Sequence, residues 1–197
     1  PPGTGKTFRC AHIVHSLITS GRRVGITAFS HAAIGNLLSA VMDRFIEEVV
    51  AIADAVAARR RSSKRIMLSF DEWNVWYRTR RVRAERVKEG WPVAPPILEE
   101  VYDMADALAF GGMCISLLNH ADRVKSACLA QLVNAIAPIM TETGGPAWRQ
   151  SIFHPFALTA RYARGTVLRT EPTGPTHETK RYGEVSTVDT VATHDEE

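Results

Sequence analysis

Apolar positions change their spacing several times along the chain, and each change marks an element. After a glycine-bearing opening, "FRCAHIVHSLITSG" carries its apolar residues at helical spacing and stops at Gly21. "RRVGITAF" reads as a short buried strand, and "SHAAIGNLLSAV" as a helix with Ser30 as its N-cap. From Met42 the stretch "MDRFIEEVVAIADAVAARRR" predicts a long amphipathic helix. Asp43 suits its N-cap; Phe45, Ile46, Val49, Val50, Ile52, Ala53 and Val56 supply its apolar face; arginines complement the dipole at its carboxyl end.

A strand, "RIMLSF", comes next, followed by a polar, arginine-rich and proline-containing stretch from Asp71 to Pro96. That stretch is too long for an ordinary connection, which marks it as functional or mobile. "ILEEVYDMADALAFGGMCISLLNHAD" reads as another helix, with Gly111 and Gly112 permitting a close approach, and "VKSACLA" as a second buried strand ending at Gln131. Helix, strand, long loop, helix, strand is the rhythm of a parallel α/β unit, and its long loop leaves the carboxyl end of a strand, where barrel enzymes place their chemistry. Beyond Pro138, "GGPAWRQSIFHPFALTARYARG" reads as a turn followed by a helix or an irregular packing segment. The tail from Thr166 has short β-like pieces between Pro, Gly and Thr, as at the start of an all-β domain.

Composition narrows the class without naming a function. At 197 residues, 45% apolar and 23% charged, the chain is neither disordered nor fibrous. Its formal charge of +3 comes from arginines clustered at 59–61 and between 78 and 86, and without a nucleic-acid module such a cluster reads as a solvated loop or helix end. Cys10, Cys114 and Cys128 show neither CxxC nor zinc-finger spacing and are expected to be reduced, buried thiols of a cytoplasmic protein. No metal site is expected, and no apolar run reaches the length of a membrane span. Residue 1 is Pro, so the true start is expected to lie upstream.

Two motifs carry chemistry. The first is "PPGTGKT", where Gly3, Gly5, Lys6 and Thr7 match most of a phosphate loop: glycines let backbone N–H groups converge on phosphates, Lys neutralises them, and the Thr hydroxyl holds magnesium. With "RRVGITAFSHAAIGNLL", residues 1–40 resemble the first motifs of superfamily 1 helicases. That resemblance implies binding of ATP and magnesium, although the motif's first glycine and its presenting strand would precede Pro1. In this reading "LSFDE" would be the magnesium-site strand, with Asp71 holding the metal through water and Glu72 activating the attacking water. Nothing in that role calls for Trp73, Trp76 and Tyr77.

The second motif is "RIMLSFDEWNVWY" itself. A carboxylate at the tip of a barrel strand is rigidly held and open to substrate, and aromatic faces beside it pack on the apolar side of a sugar ring. From Met42 to Glu197 the chain resembles the α-L-arabinofuranosidases of glycoside hydrolase family 51, through "MDRFIEEVVAIADAV", "LSFDEWNVWY", "PVAPPILEEVYDMADAL", "GGMCISLLNHADRVKSACLAQLVNAIAPIMTE" and "GPAWRQSIFHPF". The resemblance implies Glu72 as the nucleophile, Trp76 against the bound arabinose and Gln131 hydrogen-bonded to the sugar. Asp71 would support the nucleophile, and His120 is left between a structural and a supporting role. No cofactor is implied for the glycosidase; the implied partner is an arabinofuranosyl oligosaccharide or polysaccharide, and full-length relatives are expected to be homo-oligomeric.

The implied architecture is α/β. Residues 1–41 form a P-loop fragment, 42–137 the last strand and helix units of a (β/α)8 barrel with "RIMLSF" and "VKSACLA" as its final strands, and 138–197 a linker and the beginning of a β-sandwich. The family's acid/base glutamate belongs to an earlier barrel strand. The chain is therefore expected to hydrolyse little by itself and, with strand edges uncovered, to be unstable or oligomer-seeking.

Overall fold

The computed structural model describes residues 6–21, 31–76, 90, 93, 95, 98–179 and 183–196. Two helices, α1 (Lys6–Thr19) and α2 (His31–Arg59), precede a strand β1 (Leu68–Trp73), a helix α3 (Met104–Asn119) and a strand β2 (Val124–Leu129). β1 and β2 are parallel neighbours, so β1–α3–β2 is the expected parallel unit. A short antiparallel pair, β3 (Ile139–Thr141) and β4 (Ala147–Arg149), leads into α4 (Phe153–Tyr162). The tail holds β5 (Thr166–Leu168), β6 (Thr176–Thr179), β7 (Gly183–Ser186) and β8 (Ala192–His194), with β5 paired to β8 and β6 to β7, both antiparallel. The strand expected over "RRVGITAF" and the Ser30 cap lie outside the described residues, as does most of the stretch from Asp71 to Pro96.

α2 differs from expectation. It runs unbroken through Val41 and Met42, so Asp43 is an interior residue and not an N-cap. Its carboxylate instead accepts a hydrogen bond from the Ser116 hydroxyl and lies 3.1 Å from His120 Nε2, both on the α3 side. The apolar face is also narrower than the sequence suggests. Leu38, Met42, Ile46 and Val50, spaced by four, join the core, whereas Val49 and Ile52 are exposed.

Small residues bring the three helices of the core together. A β-carbon on Gly112 would lie 2.7 Å from Ser39 Oγ of α2, the close approach that the glycine pair announces, whereas one on Gly111 would make ordinary contact with Pro155 of α4 at 3.7 Å. α3 starts at Met104, later than its apolar pattern implies. The Asp103 side chain accepts from the backbone of Ala105 and Asp106 while Asp106 accepts from Asp103 N–H, a reciprocal cap that fixes the first turn. At the other end of the unit, Arg123 forks onto Asp54 of α2 at 2.7 and 2.9 Å and donates to the Ile66 carbonyl at 2.9 Å. Its buried guanidinium thereby joins α2 to the start of both strands.

These polar contacts make stability depend on pH from both sides. The hydrogen bond to Asp43 raises the His120 pKa above 6.5, with Glu47 of α2 and Asp122 acting in the same sense. Because the folded chain holds that proton more tightly, His120 contributes its stability below pH 6.5 and loses it as pH rises through the raised value. Asp54 behaves oppositely: the Arg123 hydrogen bond lowers its pKa below 3.8, and its contribution is lost as pH falls through the lowered value. Urea unfolding across the pH range should show stability falling as pH rises above 6.5, a decline that His120→Gln flattens. An identical decline in the variant would place its source elsewhere.

Candidate active site at the ends of the parallel strands

The register of β1 against β2 slips where the two acids stand. Phe70 pairs with Ala127 and Trp73 with Leu129, so three steps along β1 face two along β2. The slip breaks the alternation of faces: Asp71 and Glu72 are both exposed, and Trp73 turns inward. Ala130 N–H then donates to the Trp73 carbonyl at 3.2 Å, so the two strands finish level. Glu72, the last residue but one of β1, Trp76, three residues past its end, and Gln131, two past the end of β2, are all exposed at this edge. The structure thus places the three residues expected to meet a sugar at the carboxyl ends of one strand pair.

The neighbouring aromatics divide. Trp73 is core, its ring 4.7 Å from that of Phe110 on α3, and takes no part in a sugar-facing surface. Trp76 remains 49% exposed at the strand edge. Tyr77 lies outside the described residues. Asp71 accepts a hydrogen bond from the Ser69 hydroxyl on its own strand, in keeping with a supporting role. His120 follows α3 and precedes β2, at the end of the unit opposite Glu72, and serves the α2–α3 contact. Of the thiols, Cys114 is buried, with its pKa raised to about 11 by desolvation, whereas Cys128 is exposed, against expectation. Gly3 and Gly5 lie outside the described residues, and Lys6 and Thr7 open α1. Among the described residues no group of three or more His, Cys, Asp and Glu side chains could hold a metal ion, and no helix is long and apolar enough to cross a membrane.

Sequence reasoning missed the residues behind this edge. Gln150, 7% exposed, and Tyr102, 6% exposed, sit beneath the loops that leave the strands. The Gln150 amide accepts from Tyr102 N–H and donates to the carbonyls of Glu100 and Ala137, and the Tyr102 hydroxyl donates to the Val75 carbonyl at 2.9 Å. Nothing local in "AWRQSIFHPF" marks its glutamine as buried, since its partners lie elsewhere in the chain.

The described fold is thus a parallel βαβ unit whose bulged strand end exposes a carboxylate, followed by short antiparallel strand pairs. Comparison with known proteins supplies the family. The model of the α-L-arabinofuranosidase C-terminal domain matches residues 71–197, and the chain belongs to that family. It is 53% identical over 156 residues to an intracellular exo-α-(1→5)-L-arabinofuranosidase of Halalkalibacterium halodurans, covering 79% of this chain and 31% of that protein. It is 54% identical over 160 residues to an exo-α-(1→6)-L-arabinofuranosidase of Bifidobacterium longum, covering 79% of this chain and 30% of the relative. Among solved structures, a family 51 α-L-arabinofuranosidase from Bifidobacterium longum superposes with a TM-score of 0.72 at 43% identity, over 85% of this chain and 35% of that one. The chain therefore spans about a third of the length of these relatives.

Proposed function

We propose that this chain is the nucleophile-bearing part of a retaining α-L-arabinofuranosidase that releases terminal arabinofuranose from arabinose-containing oligosaccharides or polysaccharides. The observation that carries the reading is the slip in register at the end of β1, which turns Glu72 outward at the strand tip with Trp76 and Gln131 on the same edge. Glu72 attacks the anomeric carbon and forms a glycosyl-enzyme, Trp76 packs against a face of the sugar, and Gln131 hydrogen-bonds it. β1 and β2 are the last two strands of a (β/α)8 barrel in this reading, and β5 to β8 begin a β-sandwich. The relatives' names cover both (1→5) and (1→6) linkages, which supports a terminal arabinofuranose without choosing a linkage. A cytoplasmic location is part of the same reading, supported by the word "intracellular" in relatives' names.

A retaining mechanism needs a second carboxylate roughly 5 Å from the first to protonate the leaving group. Asp71 lies beside Glu72 on the same strand and is engaged by Ser69, so it does not fill that role here. The isolated chain is therefore expected to leave an ordinary aryl arabinofuranoside uncleaved above background. An activated 2-deoxy-2-fluoro arabinofuranosyl donor with a dinitrophenolate leaving group removes the need for an acid. A Glu72 oxygen bonds to the anomeric carbon while dinitrophenolate departs with the bonding electrons. Mass spectrometry should find one fluoropentosyl adduct on the peptide containing Glu72 and none in Glu72→Gln. Equal labelling of both proteins would sink the assignment.

A further inference from the structure

Three segments without regular structure meet where β1 and β2 end: residues 74–76, 98–103 and 131–138. A ring that must meet a ligand from such loops needs its backbone held to about half an ångström. Gln150 supplies part of that order, since both amide donors and its carbonyl oxygen are used, at 2.8, 3.0 and 3.1 Å, and its own N–H donates to the Pro138 carbonyl at 2.8 Å. It ties the segment before α3 to the segment after β2. Tyr102 carries the order across to β1 through its hydroxyl on the Val75 carbonyl. Asn74 completes the hold, because its Oδ1 accepts from Val75 N–H at 2.8 Å and its Nδ2 donates to the Ile136 carbonyl.

Val75 is thus gripped at its N–H and its carbonyl, with its side chain buried, and the next residue is the half-exposed Trp76. We infer that Tyr102, Gln150 and Asn74 are positioning residues of the sugar face, fixing the peptide that carries Trp76 and so the stance of its indole beside the Glu72 strand end. The inference rests on the arabinofuranosidase reading for the purpose of that stance, and on the hydrogen bonds alone for its existence. A fully satisfied buried polar network specifies one geometry where an apolar contact would tolerate several. The network also ties the peptide before Trp76 to residues 136–138 of the segment that follows β2.

The test follows Trp76 directly. The full chain is labelled with 5-fluorotryptophan, and the Trp76 fluorine resonance is assigned by its disappearance in Trp76→Phe. Tyr102→Phe removes one hydroxyl and keeps the ring. It should shift or broaden the Trp76 resonance while that of Trp148, on β4, stays nearly unchanged; the urea midpoint should fall somewhat, because the buried Val75 carbonyl loses its donor. Asn74→Ala should perturb the same resonance by the opposite end of the grip, which covers the case in which Tyr102→Phe fails to fold. A Trp76 resonance unmoved in both variants overturns the inference. Titration with 4-nitrophenyl α-L-arabinofuranoside then separates the two readings. Movement of the wild-type Trp76 resonance, with affinity weakened roughly fivefold in Tyr102→Phe, the scale of one lost hydrogen bond, supports both. A wild-type resonance that ignores the sugar while the variants still disturb it overturns the sugar-binding purpose and leaves the positioning in place.

Discussion

Replacing Phe110 with alanine is expected to cost about 3–5 kcal/mol of stability, the range for a large aromatic removed from a packed core. Phe110 has no exposed surface and stands at the meeting point of three elements. Its ring lies 4.7 Å from Trp73 at the end of β1 and 6.1 Å, edge-on, from Phe156 of α4. Each aromatic pair is worth about 0.5–1.5 kcal/mol beyond the area buried, so alanine forfeits two such contacts together with the transfer of the ring. The Trp73 indole nitrogen is buried with no hydrogen-bond partner among the described residues, which makes that side chain depend on packing alone. Phe110→Leu, which keeps most of the volume, should cost less than about 1.5 kcal/mol. Denaturant unfolding of the three proteins decides it: an alanine variant within about 1 kcal/mol of wild type would show that α3 and β1 are not held through this ring. The change should also weaken near-ultraviolet dichroism from Trp73, since the ring that fixes its orientation is gone.

The same geometry explains what could be read from the chain and what could not. The existence of β1, β2 and the tail strands was legible from their apolar and β-branched composition, but their faces and ends were not. β2, expected to be buried, is exposed from Lys125 to Cys128, and β1 runs past the expected end at Phe70 to take in both acids. Of the glycine pair, Gly112 marked a close approach. The break in α2 at Met42 was a false reading with a physical origin. An Asp at the head of an apolar run looks like an N-cap, but Asp43 pairs across space with Ser116 and His120, far along the chain, and no local spacing reports such a contact. The start of α3 was misjudged for the converse reason. The reciprocal Asp103–Asp106 cap is written in the sequence with Asp in place of the usual Glu, and it outranks the apolar residues before it. At the site, Glu72, Trp76 and Gln131 came from motif resemblance, and the structure adds the register slip that exposes the acid. Trp73 and Trp76 are alike in sequence; only the slip and the packing of Phe110 decide that one is core and the other surface. Gln150 had no such signal, because a buried amide is recognised by its partners and these lie on two other segments, 98–103 and 131–138.

Gly112→Ala should destabilise the chain by about 1–3 kcal/mol, and the loss should vanish when Ser39 is also made alanine. The added methyl would sit 2.7 Å from Ser39 Oγ, closer than atoms tolerate, so α2 and α3 must part or the serine must move. Moving is hard, since Ser39 is only 7% exposed and packed within the α2–α3 seam. Its hydroxyl is also buried with no hydrogen-bond partner among the described residues, so it contributes an unsatisfied polar group and not a bond. Ser39→Ala alone is therefore expected to be neutral or slightly stabilising. In that background the methyl of Gly112→Ala has room, and alanine's helix propensity, about 1 kcal/mol better than that of glycine inside a helix, is no longer outweighed by the clash. The double variant should unfold at higher urea than wild type although Gly112→Ala alone unfolds lower, a change of sign that independent sites cannot produce. Simple addition of the two effects would mean that the seam is looser than the 2.7 Å contact requires, and that glycine at 112 serves some end other than the approach of α3 to α2.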